Sequence, residues 1–452
     1  MVETKSNGRH PGRTLLILGL LFLAAWLPRA LTLDEFVTPD ERKWLARSAN
    51  FYLALSEADF DATYQTEHPG VTVMWLGALG WRSTYPEYVT QTPGQIADVQ
   101  LEEWLAVNGR FSPLELLVAL RRWVVLAIAI AIVAGFFPLR RLFGELAATL
   151  AVLYLAWDPF FVALSRQLHL DGLLASLICL ALLTFLAWLY GGGQKRYLIA
   201  SGLATGLALL TKTPAVFVLP TTGLLLLIET SRRRRAGRND LLALFGSYAI
   251  WLAIAGALFF LLWPVMWRNA PDVLRTIVEM MTVHGQGHEL PNYFRGEVTY
   301  DPGLLFYPVA FFFRTTPMTL FGLLAALVWG WRRRWPLDTA DRRFSTFGLA
   351  LFALIFTLGM ALGAKKFDRY LLPAFLVLDV VAALGWLGLA SWLGSRLRSE
   401  RDQQQAQEQN VAPLGSAGVV LLIALFLAHG WLGICHAPYY LTYYNPLAVA
   451  VV

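Results

Sequence analysis

Apolar runs of about twenty residues recur along almost the whole chain, and no other feature restricts its folding options as severely. A helix needs roughly 20 such residues to cross a bilayer core of about 30 Å. About eleven segments reach or approach that length: 14-30, 115-137, 144-163, 172-190, 197-211, 214-229, 241-263, 304-331, 345-364, 371-394 and 413-435. Composition agrees: 57% of residues are hydrophobic, 15% are charged, and 17 of the 452 are Trp. Ordinary soluble domains with polar surfaces do not have that balance. The expected fold is an all-α polytopic membrane protein forming one transmembrane domain over 1-452.

A secretory signal competes for the first run, which follows Lys5, Arg9 and Arg13 and contains Ala24-Ala25 as weak cleavage candidates. The later runs make the membrane assignment independent of it. Cys179 and Cys435 both fall in predicted spans, where Cys behaves as a small apolar residue, so neither a disulfide framework nor a CxxC zinc site is expected.

Lys and Arg are retained on the cytoplasmic side of short loops. Alternate loops are basic: the N-terminal tail, Arg140-Arg141, Lys195-Arg196, Arg232 to Arg235 with Arg238, Arg332 to Arg334 with Arg342-Arg343, and Arg396 with Arg398 and Arg401. This predicts a multi-pass protein of the cell membrane with its N-terminus in the cytoplasm. The pI near 9.3 then reports topology and not nucleic-acid binding.

The opposite, outer face carries the longer loops and most of the acids. Its largest loop, 31-114, has turn signals at Pro39, Pro69-Gly70, Pro86 and Pro93-Gly94 and is expected to form interfacial helices. A second outer loop, 264-303, contains an amphipathic stretch from Pro271 to Val283, a pattern that suits the membrane interface. The cytoplasmic linker 395-411 is polar and low in complexity, which predicts a mobile connector.

Chemistry is sought on the outer face. Thr38-Pro39-Asp40-Glu41 follows the first span, and Pro39 with two acids suits a helix start. A carboxylate there is also placed to act as general base on an acceptor hydroxyl. In DPFFVALSRQLHLDGLLA, Arg166 and His169 are expected to share a helix face at i, i+3, with Asp171 opening the fourth span. Lys212 lies between two apolar runs, where an ammonium must snorkel or meet an anion. Lys365, Lys366, Arg369 and Tyr370 in AKKFDRYLLP place cations on the outer side against the usual bias. They would bind either ordinary lipid headgroups or a specific lipid phosphate.

Read together, Asp40-Glu41, His68-Pro69-Gly70-Val71 with Trp75, Ser165-Arg166 with Asp171, Lys212, and Lys365 to Tyr370 with Pro373 resemble bacterial members of the protein O-mannosyltransferase family. The layout is similar to that of lipid A aminoarabinose transferases, and both groups have the C-type glycosyltransferase fold. The family's His-Pro-Pro pattern reads His68-Pro69-Gly70 here. The resemblance implies Asp40 as general base with Glu41 as its catalytic neighbour. It implies substrate contacts at His68, Arg166, Asp171, Lys212, Lys365, Lys366, Arg369 and Tyr370. The implied donor is a sugar on polyprenyl phosphate, and the reaction is an inverting displacement by the hydroxyl of a protein, lipid or glycan. Relatives often continue into a soluble outer domain, so a chain ending at Val452 reads as a truncated or minimal form.

His284, His288 and Glu289 in VHGQGHEL include two imidazoles and a carboxylate that together suit zinc, but HxxxH here runs through two glycines and is not HExxH. His288 and Glu289 are placed with the substrate-contacting residues, no cofactor is assigned, and a divalent metal ion stays open. No Walker-type GxxxxGK[ST] and no GxGxxG after a strand is present. A transporter or flippase of a lipid-linked sugar would use the same cations without needing Asp40, and a non-catalytic scaffold would need neither.

Overall fold

The computed structural model describes residues 11–238, 240–286, 291–397 and 414–449. His288, Glu289 and most of the 395-411 linker lie outside them. Helix α1 (Pro11–Ala30) leads into a loop that is largely helical, as expected: α2 (Pro39–Ser56), α3 (Val71–Thr84), α4 (Tyr88–Gln91) and α5 (Asp98–Asn108). Helix α3 starts at Gly70, whose φ of +59° favours glycine. A Cβ there would lie 2.3 Å from the Trp44 ring. The Gly70 N–H donates to Thr211 O at 3.1 Å and ties this loop to the later spans.

Helix α6 (Pro113–Ala134) opens with a Ser112–Glu115 capping box and runs through Gly135 into α7 (Phe136–Phe143). Helices α8 (Glu145–Trp157) and α9 (Pro159–Ser165) form the expected span 144-163, bent by 64° at Asp158. Helices α10 (Leu170–Tyr190), α11 (Lys195–Thr211), α12 (Val218–Arg235) and α13 (Leu241–Leu261) follow. Helix α14 (Met266–Gln286) kinks at Asn269 and leads to a hairpin, β1 (Asn292–Phe294) with β2 (Glu297–Thr299). This hairpin is a small exception to the all-α expectation.

The run 304-331, expected as one span, is two helices, α15 (Phe306–Arg314) and α16 (Pro317–Arg332), bent by 108°. The cause is local: the Thr316 hydroxyl caps α16 by accepting the Thr319 N–H at 3.1 Å, and Pro317 fits the first helical position. Helices α17 (Ala340–Ala361), α18 (Leu372–Arg396), α19 (Ser416–Ile434) and α20 (Pro446–Val449) complete the chain.

Among the described residues eight helical stretches are long and apolar enough to cross a membrane, or up to ten if each bent pair is one span. The expected span at 197-211 is α11, whose 17 residues fall short of the roughly 20 a crossing takes. Helices α10 and α18 are buried along most of their length and form the centre of the bundle. Gly322 and Gly385 let α16 and α18 touch, since a Cβ on Gly385 would lie 1.9 Å from Gly322 O.

The two ends of the bundle differ. At one end the basic loops are tied together: Arg141 donates to Gly191 O, Arg342 to Leu142 O at 3.3 Å, and Arg232 pairs with Asp341 at 2.7 Å. At the other end α2, α10 and the short 3₁₀ turn Asp368–Leu371 that opens α18 all begin close together.

Candidate active site

Those helix starts bring five polar side chains into one cluster. Asp40 and Asp171 sit in the first turns of α2 and α10, where the helix macrodipole favours acids. Arg369 bridges them, one terminal nitrogen 3.0 Å from Asp40 Oδ2 and its Nε 3.4 Å from Asp171 Oδ2. Lys212, where α11 ends in extended backbone, places its ammonium 2.7 Å from Asp171 Oδ1 and 4.2 Å from the centre of the Tyr370 ring.

His169 completes the set. Its Nε2 is 3.3 Å from Asp40 Oδ2, and its Nδ1 is 3.3 Å from both Asp171 Oδ2 and the Asp171 backbone nitrogen. A neutral ring accepts that backbone N–H, whereas a protonated ring donates to both carboxylates. Burial opposes the charged ring, but Asp171 and Asp40 outweigh it and raise the His169 pKa. The hydrogen bond from His169, with the charge of Arg369, lowers that of Asp40. Asp40 is thus a carboxylate held by two donors, and its side chain remains 34% exposed. Asp171 is 2% exposed and serves as the buried counter-ion of the cations.

Glu41 has a different environment, although it is the next residue. It is fully buried and takes a two-pronged contact from Arg121: Nε to Oε1 at 2.7 Å and a terminal nitrogen to Oε2 at 2.5 Å. Its oxygens also accept the Thr38 N–H at 2.9 Å and the Leu168 N–H at 2.7 Å. Arg121 in turn donates to the carbonyls of Leu33, Glu35 and Phe36. Glu41 therefore anchors α2 to α6 and to the start of α10, and none of its oxygens faces the Asp40 cluster.

Beside the cluster lies a cavity of about 320 Å³. Asp171, Lys212, Lys365, Tyr370, Glu67 and His68 give it a polar end. Leu174, Val216, Phe217, Ile277, Met280, Met360 and Leu362 give it apolar walls. Burial, then the nearby charges of Lys212 and Arg369, lower the Lys365 pKa. An anion among these cations would reverse that effect.

Of the residues expected from sequence, Asp40, Asp171, Lys212 and Arg369 meet in one network, and His68, Lys365 and Tyr370 line the adjoining cavity. Three do not join them: Glu41, held by Arg121, and Lys366 and Arg166. Lys366 turns to Asp301 at 2.7 Å and lowers that carboxyl's pKa. Arg166 donates to Leu31 O at 2.6 Å, Thr32 O at 2.7 Å and Pro438 O at 3.0 Å. The expected i, i+3 pairing of Arg166 with His169 on a helix does not occur. Residues 166–169 break out of helix between α9 and α10, with His169 extended at φ −146°, so the two side chains leave in different directions. His169 and Arg121 are the residues that sequence reasoning missed as parts of the site.

Among the described residues no group of three His, Cys, Asp or Glu is placed to hold a metal ion. The Asp40 and Asp171 oxygens face Lys212, His169 and Arg369, which a divalent ion would have to displace.

A family model, dolichyl-phosphate-mannose-protein mannosyltransferase, matches residues 115–267. That stretch contains Arg121, His169, Asp171 and Lys212, while Asp40 and Arg369 lie outside it. No curated protein matches the chain by sequence. Among solved structures, ArnT from Cupriavidus metallidurans bound to undecaprenyl phosphate is similar at 15% identity and TM-score 0.55, covering 94% of this chain and 77% of that one. The same protein in its apo state matches at 15% identity and TM-score 0.55, covering 95% and 78%. At that identity the likeness establishes the fold. The family match extends over about a third of the chain, and the shared architecture gives the chain the C-type, multi-pass helical fold expected from its sequence.

Proposed function

We propose that the protein transfers a sugar from a polyprenyl phosphate to an acceptor hydroxyl, with Asp40 as general base and the reaction taking place at the outer face of the cell membrane. The observation that carries this reading is the cavity, which has cations at one end and apolar walls beyond them. A lipid-linked sugar phosphate has the same two-part character. That the similar ArnT structure holds undecaprenyl phosphate supports the same class of carrier here.

In the proposed step the acceptor oxygen bonds to the anomeric carbon as the bond from that carbon to the phosphate oxygen breaks. The acceptor proton goes to Asp40 and configuration inverts. The departing phosphate gains one negative charge, which Lys212, Lys365 and Arg369 are placed to stabilise. Arg369 links this to base strength. It spans Asp40 and Asp171, and a phosphate that draws it away returns proton affinity to Asp40. Glu41 is assigned to positioning, because Arg121 and two backbone N–H groups occupy its oxygens.

Transfer of labelled sugar from a panel of polyprenyl-phosphate donors in proteoliposomes tests the proposal, comparing the native protein with Asp40→Asn at equal folded amount. Loss of transfer with polyprenyl phosphate binding retained supports it. Equal transfer by the variant removes Asp40 from the mechanism, and no transfer from any donor overturns the reading.

A further inference from the structure

A second, smaller cavity of about 150 Å³ lies beyond the Glu41–Arg121 pair, between the turn after α1 and the segment after α19. Glu35, Phe36, Arg166, Gln167, Tyr439 and Tyr440 line it. We propose that this cavity is the acceptor subsite and that it binds one neutral sugar ring. The proposal rests on the transferase reading, since it names the class of molecule that presents the hydroxyl.

Gln167 is the first reason. It is 7% exposed, yet its carboxamide forms no hydrogen bond with any described residue. A ligand with both donors and acceptors would satisfy it, since a carboxamide offers two N–H donors and a carbonyl.

Few donors remain here for an anion. Arg166 already donates to Leu31, Thr32 and Pro438 and faces the Tyr440 ring at 5.0 Å. Arg121, the other cation at this cavity, is saturated by Glu41 and three carbonyls. The Glu35 carboxylate adds an acceptor and would repel a phosphate.

An apolar lipid tail would leave Gln167 unpaired. A hydroxyl-rich ring satisfies it and can lie against aromatic faces, which Phe36 and Tyr439 supply edge to face at 6.4 Å. Size points the same way. Drug-sized ligands occupy roughly 300–1,000 Å³, so this cavity suits a single ring.

Position connects the cavity to the reaction. Its lining adjoins the Asp40 cluster along the chain. Gln167 is two residues before His169, and Glu35 and Phe36 are held by the same Arg121 that grips Glu41 beside Asp40. Phe36, which lines the cavity, closely precedes the α2 start that carries the proposed base.

The test is binding, so it does not depend on turnover. Saturation-transfer NMR on the full chain in nanodiscs would use methyl glycosides of mannose, glucose, galactose and N-acetylglucosamine as probes, with a short Ser/Thr peptide as competitor. At least one glycoside should bind, and Gln167→Leu should weaken it at least tenfold while polyprenyl phosphate still binds. Tyr439→Leu, at the exposed rim, should weaken it several-fold and guards against a folding defect in the first variant. Absence of binding by every glycoside, unchanged binding in both variants, or displacement by the peptide alone would overturn the subsite. Failed sugar transfer with glycoside binding intact would count against the transferase mechanism and leave the subsite standing.

Discussion

Asp40 and Glu41 are consecutive acids in one helical turn, yet the protein treats them in opposite ways. Glu41 is enclosed, its oxygens taken by Arg121 of α6, by the Leu168 N–H before α10 and by its own helix cap at Thr38. Asp40 stays partly open and shares His169 and Arg369 with Asp171, two donors that have somewhere else to go. The first arrangement holds three segments in register. The second leaves a carboxylate whose basicity depends on what else its partners bind.

The comparison breaks most sharply at Asp40. Asp40→Asn should lower the turnover of sugar transfer by about 10²- to 10⁴-fold, the usual value of a general base, with little change in thermal unfolding. Glu41→Gln should do the reverse. Removing one partner of a buried pair typically costs about 3–5 kcal/mol, so the folded yield and the unfolding midpoint should fall. Protein that remains folded should still bind polyprenyl phosphate. An Asp40 variant that melts, or a Glu41 variant that is stable and inactive, would exchange the two roles.

A pH series sharpens the same contrast through His169. Its raised pKa means that its contribution to stability is complete below the ordinary value of about 6.5 and is lost as pH rises through the folded value. The lowered Asp40 pKa gives a contribution present above about 3.9 and lost as pH falls through the depressed value. His169→Asn keeps a residue type that caps helices well. The stability difference from the native protein should be largest near pH 4 to 6.5 and shrink at alkaline pH. The acid limb of transfer should move upward, because Asp40 loses the donor that most depresses its pKa. A difference that does not change with pH would mean that His169 carries no charge in the cluster.

The sequence made some of this legible. Asp40, Asp171, Lys212 and Arg369 stood out because ionisable groups beside apolar runs need partners, and the structure makes them one another's partners. The bend within 304-331 had a local signal in Thr316-Pro317, a cap followed by a helix-starting proline, which the uninterrupted hydropathy concealed. The Glu41–Arg121 pair had no such signal. Arg121 lies 80 residues from its partner inside an apolar run, and periodicity carries no information at that range. His169 was misplaced because nothing in SRQLHLD announces a break in the helix. The lone Gln167, with no charge to explain, was also silent.

The smallest expected effect concerns two adjacent lysines. Lys365 lines the cavity, whereas Lys366 is spent on Asp301, a carboxylate 57% exposed. An ion pair with one partner so exposed contributes about 0–1 kcal/mol, so Lys366→Gln should barely move the unfolding midpoint and should leave polyprenyl phosphate affinity unchanged. On the proposed reading, Lys365→Gln removes a charge-assisted contact of about 1.5–3 kcal/mol to the donor phosphate and should weaken that affinity by roughly tenfold or more. Equilibrium binding of polyprenyl phosphate to both variants decides the matter. Equal losses would mean that Lys366 leaves Asp301 when the lipid arrives, and that the loop around Asp301 rearranges with the donor in place.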